Sequence, residues 1–260
     1  MSLPPVQLAV DPTNPGQFFA CCGLLELADR MWSGAEGRFE AGHFVINAST
    51  HRSDLSLAAL VMAIAQEELS QLDPVDETAS PLLLRGVFDL RLDWWHERGA
   101  SALKLWAGRM NSTRIARAMQ SALVSTLAAP EYLLDFGRIV YEPSEPDKKV
   151  EPFYFDARRG ASATALDIGF MPDALSMTTV AFPAVEFLCL VGLQRFRPMP
   201  ARVKPRVFDY ATWAQPLDAR VAPLAATGLL GFPDARAYRF EVTFRTDQRK
   251  HKAFTPATPL

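Results

Sequence analysis

The chain has 260 residues, with 27 Lys and Arg against 29 Asp and Glu and a formal net charge of −2. Hydrophobic residues at 49% and charged residues at 22% are ordinary globular composition, and no stretch is low-complexity. Three cysteines (Cys21, Cys22 and Cys189), an odd number with two of them adjacent, rule against a disulfide framework and fit a reducing cytoplasm.

Length allows one large domain or two small ones, and a chain of this size buries roughly three-quarters of its unfolded surface without staples. Met1–Pro5 lacks the basic and apolar regions of a signal peptide. Leu55–Ala65 and Ala181–Leu193 are too short or interrupted to span a bilayer.

Val6–Val10 alternates and predicts a strand. Asn14 then reads as an N-cap and Pro15 as the first residue of a helix that runs to about Trp32 and stops at Ser33-Gly34. Arg38–Ala48 alternates as a second strand. Ser53-Asp54 predicts the cap of a well-buried helix over Leu55–Leu72, followed by an acidic, proline-bearing loop over Asp73–Pro81. Leu82–Trp95 alternates with a period of two and one apolar face.

Ala100–Ala129 predicts one long helix, or two broken near Gly108. Arg138–Tyr141 and Pro152–Asp156 are candidate strands around a polar loop at Glu142–Glu151, and Ala184–Phe196 is a helix ending at Pro198. Ala201–Pro205 is too proline-rich for a regular element, Ala237–Arg245 is a strand, and Thr255–Leu260 is a loose tail. Strands and helices follow one another without a regular βαβ beat. The expected fold is therefore α+β, mixed or antiparallel sheets packed with helices, as a single domain over 1–260 with a subdivision near 142–151 as the alternative.

Catalytic signatures are sparse. His43, His51, His96 and His251 sit at no metal-ligand spacing, no glycine-rich phosphate loop occurs, and Cys21 and Cys22 lie inside an apolar helix as core residues. Asp89 and Asp93, with His96 nearby, fall on alternate strand positions and define a metal-dependent nuclease as the catalytic alternative. The expectation is a non-enzyme without cofactor or metal. Trp94, Trp95 and Trp106 read as core.

Near-neutral charge argues against an independent nucleic-acid binder, yet the charge is segregated. No acid occurs between Glu97 and Glu131, where Arg98, Lys104, Arg109, Arg114 and Arg117 fall. None occurs between Glu186 and Asp209, where Arg195, Arg197, Arg202, Lys204 and Arg206 crowd together. Such cations repel one another unless an anion is near, and the interleaved prolines stiffen the backbone that would grip a strand. Phe196 and Phe208 are candidate stacking faces for bases. Asn111, Arg114, Arg117 and Ser121 share one helix face that could track a phosphate backbone, and Arg158-Arg159-Gly160 places forked donors beside a glycine. The alternative readings are a solvated helix face and a tight turn in which an arginine pairs with Asp156.

Four stretches resemble CRISPR-associated Csb-family proteins of the type I-U (I-G) systems. They are Asp11-Pro12-Thr13-Asn14-Pro15-Gly16 running on to Cys21-Cys22-Gly23-Leu24-Leu25, Phe155-Asp156-Ala157-Arg158-Arg159-Gly160, Leu166-Asp167-Ile168-Gly169-Phe170, and Met177-Thr178-Thr179 running on to Val191-Gly192-Leu193-Gln194-Arg195-Phe196-Arg197-Pro198. The nearest likeness is to the subunit that stands in for the large subunit of Cascade, the crRNA-guided interference complex. The resemblance implies a subunit that contacts crRNA or target DNA beside other Cascade subunits, with cleavage left to a separate, recruited helicase-nuclease. Its residues would be Arg195, Arg197, Arg202, Lys204, Arg206, Arg158, Arg159, Arg114 and Arg117. The alternative within the same complex is a protein–protein scaffold that never touches nucleic acid.

Overall fold

Asn14 starts the first long helix in the way its residue type and the following proline dictate. Its side-chain oxygen accepts the N–H groups of Gly16 (3.1 Å) and Gln17 (3.4 Å), and Pro15 supplies a first helical residue that needs no partner for an N–H. The computed structural model describes residues 6–48, 56–76, 78–108, 110–159 (without the side chain of Arg159), 180–245 and 251–260.

Helix α1 (Pro15–Trp32) ends at Ser33, which adopts φ 48° and donates its N–H to Asp29 O. Most of its side chains are buried, so it is apolar on every side and lies in the centre of the molecule. Before it runs β1 (Val6–Ala9), and after it a hairpin of β2 (Ala35–Glu40) and β3 (His43–Ala48) turning on Ala41-Gly42. Helix α2 (Leu57–Gln66) is capped by Ser56, whose oxygen accepts from Ala59 N. Strands β4 (Leu69–Gln71), β5 (Leu82–Leu84) and β6 (Leu90–Leu92) form a small antiparallel sheet.

Helix α3 (Ser112–Ala122) follows a 3-10 turn at Ala100–Leu103, with the break expected near Gly108. Strands β7 (Tyr141–Glu142) and β8 (Glu145–Lys149) pair as an exposed hairpin. Helix α4 (Pro183–Gly192) is buried throughout. Then come β9 (Met199–Pro200), β10 (Val207–Ala211), β11 (Leu217–Asp218), the short α5 (Ala222–Ala226), β12 (Ala237–Phe244), β13 (Lys252–Phe254) and β14 (Thr258–Pro259).

Every strand pairing among the described residues is antiparallel, and the fold is α+β as its sequence pattern implies. One sheet has the order β1-β3-β2-β11, and a second has β13-β12-β10-β9 with β14 also on β12. Phe18 and Phe19 of α1 reach the second sheet at Tyr210 and Phe240 and the first at Phe39, so α1 is the element both sheets share. Among the described residues no helix is long and apolar enough to cross a membrane.

Helices α1 and α4 meet at Gly23 and Gly192. A Cβ on Gly23 would lie 2.0 Å from Leu188 O, and one on Gly192 would lie 2.0 Å from Phe19 O. Such contacts involve rigid backbone and cannot be relieved by a side-chain rotation. Gly23→Ala is therefore expected to lose about 3 kcal/mol of stability, the upper end for overpacking. Urea denaturation checks this, and an unchanged midpoint would mean that the helices separate easily.

Several expected boundaries are corrected. Arg38–Ala48 belongs to a hairpin rather than one strand, because Ala41 (φ 48°) and Gly42 (φ 79°) reverse the chain. The helix expected to reach Leu72 stops at Gln66, since residues 69–71 pair with β5 instead, and the proposed caps at Ser53 and Asp54 lie outside the described residues. Leu82–Trp95 is broken at Arg85-Gly86 and ends in a 3-10 turn at Trp94–His96, although Leu82, Leu84, Leu90, Leu92 and Trp94 are buried as the alternation requires. Tyr141–Lys149 is a hairpin, and Pro152–Asp156 forms no strand, since Tyr154 adopts φ 74° in its middle. The tail is held rather than loose: Ala257 N donates to Thr13 O and Leu260 N to Ala237 O.

Candidate nucleic-acid interface

The segment after α4 turns sharply, pairs β9 with β10, and leaves residues 201–206 as a projecting turn between them. Pro200 just before the turn and Pro205 within it fix the backbone at either end, and Arg206 adopts φ 64°. Against this turn lie Gly99 and Ala102 of the 3-10 segment, enclosing a cleft of about 530 Å³ whose wall carries Arg202, Lys204 and Arg206.

These cations are unequally engaged. Lys204 Nζ pairs with Glu241 Oε2 of β12 at 2.7 Å. Arg202 is exposed and Arg206 half-buried, and neither has a carboxylate partner among the described residues. The Arg206 guanidinium lies 4.7 Å from the Phe244 ring, and its Nε is buried without a hydrogen-bond partner. Orphaned guanidinium hydrogens of this kind are rare in folded proteins, where buried donors find acceptors.

More positive charge stands behind the wall. Val242 N donates to Arg206 O, and β12 pairs Phe244 with Lys252 of β13, so Lys252 is brought beside Arg206 across the sheet. Lys252 Nζ donates to Ala102 O at 3.3 Å. Burial, then repulsion from Arg206 and Lys104, pushes the Lys252 ammonium down from 10.5 to about 8. Burial also lowers Lys104, which sits 5.4 Å from the Trp106 ring and is partly compensated by Asp76. Sequence reading missed Lys252. Its neighbours in the chain tie it to nothing, and only the β12–β13 register places it near the proline-rich turn.

The remaining expected binding residues are compensated. Arg195 pairs with Glu26, 2% exposed, at 2.8 Å, and Arg197 pairs with Glu97 at 3.0 Å while lying 6.0 Å from the Trp94 ring. Arg114 is 2.5 Å from Glu142, and Arg117 donates to Leu69 O at 3.0 Å. The acid-free windows are thus acid-free in sequence only, because folding brings carboxylates from elsewhere. Phe196 and Phe208 are both buried, against Trp213 and Phe240, so neither offers a face to a base.

Arg158 is built into the core's edge. It donates to Asp156 through Nε (3.0 Å) and Nη2 (2.6 Å), to Asp135 through Nη1 (2.7 Å) and to Leu134 O (2.7 Å), with its guanidinium 3.5 Å from the Phe182 ring. Asp156 is fully buried and also accepts from Asn14 Nδ2 (3.0 Å), while Asn14 Oδ1 accepts from Ala157 N (3.1 Å). Arg159 closes the same 3-10 turn; Gly160, Arg109, Leu166–Phe170 and Met177–Thr179 lie outside the described residues.

The alternative catalytic pair does not assemble as expected. Asp89 precedes β6 in a turn with φ 39°, and Asp93 is held by Arg91 (2.6 Å) and by Gln194 Nε2 (3.1 Å). Among the described residues no cluster of three His, Cys, Asp or Glu is arranged to hold a metal ion. Cys21, Cys22 and Cys189 are buried and free, and burial pushes all three thiols up, which suits core packing rather than nucleophilic chemistry.

Comparison of the chain with family models, with curated proteins and with solved structures finds no match.

Proposed function

We propose that this chain is a non-catalytic subunit of a type I crRNA-guided interference complex, acting in the cytoplasm, where it holds the backbone of crRNA or target DNA. The observation that carries the reading is the cleft under residues 200–208. Its wall presents Arg202 and Arg206 without carboxylate partners among the described residues, and further cations stand behind them. Three features follow from that chemistry. Guanidinium groups fork onto phosphate oxygens. The cleft's lining offers no exposed aromatic face, since its Phe208 is buried, and this favours backbone over base contact, so sequence would be read by guide pairing and not by this protein. A net charge of −2 makes the cleft one wall of a channel completed by other subunits rather than a free-standing site. Target cleavage falls to a separate, recruited helicase-nuclease.

Arg202→Glu combined with Lys204→Gln should weaken binding of single-stranded oligonucleotides by about 10- to 100-fold and reduce the slope of log affinity against log salt by about two. Photocrosslinking of the assembled complex to its RNA and DNA should lose the adducts that map to residues 200–208. Unchanged affinity, slope and crosslinks in a folded variant would overturn the assignment.

A second reading, a scaffold that binds only protein, is favoured by the exposed apolar Val221, Leu224, Leu229 and Leu230 around α5. It predicts no crosslink from this chain to either strand.

A further inference from the structure

We propose that Lys252, one hydrogen bond behind the cleft wall, is the cation through which the cleft takes up a proton when it binds a phosphate group. The inference rests on the nucleic-acid reading of the cleft but names a residue and a coupling that reading does not require.

The geometry supplies the coupling. Lys252 Nζ is tethered to Ala102 O, and Ala102 lines the cleft. Arg206, which lines the opposite wall, faces Lys252 from the turn before β10, and Lys104 faces it from the segment after Ala100–Leu103. Asp76 lies beyond Lys104 and acts on that lysine, Glu241 is committed to Lys204, and His251 precedes Lys252 in the chain. The charges that act on Lys252 are therefore positive, and they make its own charge costly.

An anion in the cleft reverses the balance. It offsets Arg206 first and Lys104 second, and it offers the ammonium a counter-charge across the short distance to Ala102. The ammonium is then easier to keep than in the empty protein. Below about pH 8 Lys252 is already charged and binding moves no proton; above it, binding draws one from solvent. Affinity should thus be level at neutral pH and fall by up to about tenfold per pH unit from about pH 8 upward. Arginines do not titrate in this range, so Arg202 and Arg206 cannot produce that slope.

The test uses the full chain and an oligonucleotide of adenine and cytosine only, whose bases release no proton between about pH 7 and about pH 9.5, with sulfate as a second, non-titrating anion. Wild type should show the falling affinity with both probes, with calorimetry in buffers of different ionisation enthalpy reading uptake of close to one proton near the upper end. Lys252→Met should bind about three- to tenfold more weakly at pH 7, with no slope and no proton uptake. Lys252→Arg should keep the neutral-pH affinity and also lose the slope, which separates a charge role from a folding role. A level wild-type curve, or a slope that persists in Lys252→Met, overturns the proposal. Proton-linked sulfate binding without oligonucleotide binding would sink the nucleic-acid reading and leave Lys252 in its role; binding of neither would sink both.

Discussion

Arg158→Met should unfold at markedly lower urea than wild type, with a loss of about 3 kcal/mol. The reason lies in what the substitution leaves behind. Asp156 is fully buried, and its carboxylate is held by Arg158 and by Asn14 Nδ2. Removing one partner of a buried pair costs roughly 3–5 kcal/mol because the other charge remains in place without compensation. The Arg158 side chain is 34% exposed, so water can reach part of the site, and the lower end of that range applies. The loss should spread along the chain, since Arg158 also holds Asp135 and Leu134 O, while Asp156 and Asn14 tie residues 156–157 to the start of α1. Asp156→Asn in the same background should recover part of the stability by removing the stranded charge. If the double variant is no more stable than Arg158→Met, the stranded charge is not the cause.

This cluster also explains what the sequence made legible. Asn14, Gly23, Asp156, Arg158 and Gly192 each have an exacting structural duty: a cap, a helix crossing or a buried ion pair. Local signals were readable for the same reason that they are local. The Asn14-Pro15 start, the stop at Ser33-Gly34 and the alternation of β12 depend on neighbours within one turn or one strand. The hairpin at Ala41-Gly42 escaped because alternation continues through it and Ala-Gly is a weaker turn signal than Asn-Gly.

Partnerships formed at long range were hidden altogether. Arg195 finds Glu26 across 169 positions and Arg197 finds Glu97 across 100, so a window free of acids predicts nothing about compensation in space. The candidate site shows both sides of this. Arg202, Lys204 and Arg206 were visible as a proline-stiffened basic run, whereas Lys252 required the pairing of β12 with β13. The expected sites divide accordingly: on the projecting turn Arg202 and Arg206 have no carboxylate partner among the described residues, whereas Lys204 on the same turn and Arg114, Arg195 and Arg197 elsewhere are drawn into ion pairs with the body of the fold.

Stability should fall as pH rises from about 5 to about 8, and Glu186→Gln should remove that component. Glu186 lies fully buried on α4 and accepts the backbone N–H groups of Phe155 (3.2 Å) and Asp156 (3.1 Å), fastening the Arg158 segment to the helix. Burial, reinforced by the neighbouring Asp156 carboxylate, pushes its carboxyl up from 4.5 to about 8, against the opposing pull of those N–H donors. Below about pH 4.5 the group is neutral in both the folded and the unfolded chain. Between there and about 8 the unfolded chain releases the proton and the folded chain retains it, so each rise in pH favours unfolding. Above about 8 the folded chain must hold a buried negative charge beside Asp156, and the loss is complete. The full span corresponds to on the order of 5 kcal/mol. Glutamine has no proton to lose; it keeps one acceptor oxygen where the carboxyl group uses two, so it can accept only one of the two N–H groups in the same way, a cost that does not change with pH. The wild-type stability minus that of Glu186→Gln should therefore decline steadily between pH 5 and pH 8 in urea titrations, and a difference that stays level would show that Glu186 is charged in the folded protein throughout. Because Glu186 and Asn14 hold opposite sides of the 155–157 segment, alkaline loosening should begin there, and hydrogen exchange at the amides of Phe155 and Asp156 should accelerate before that of the α1 core.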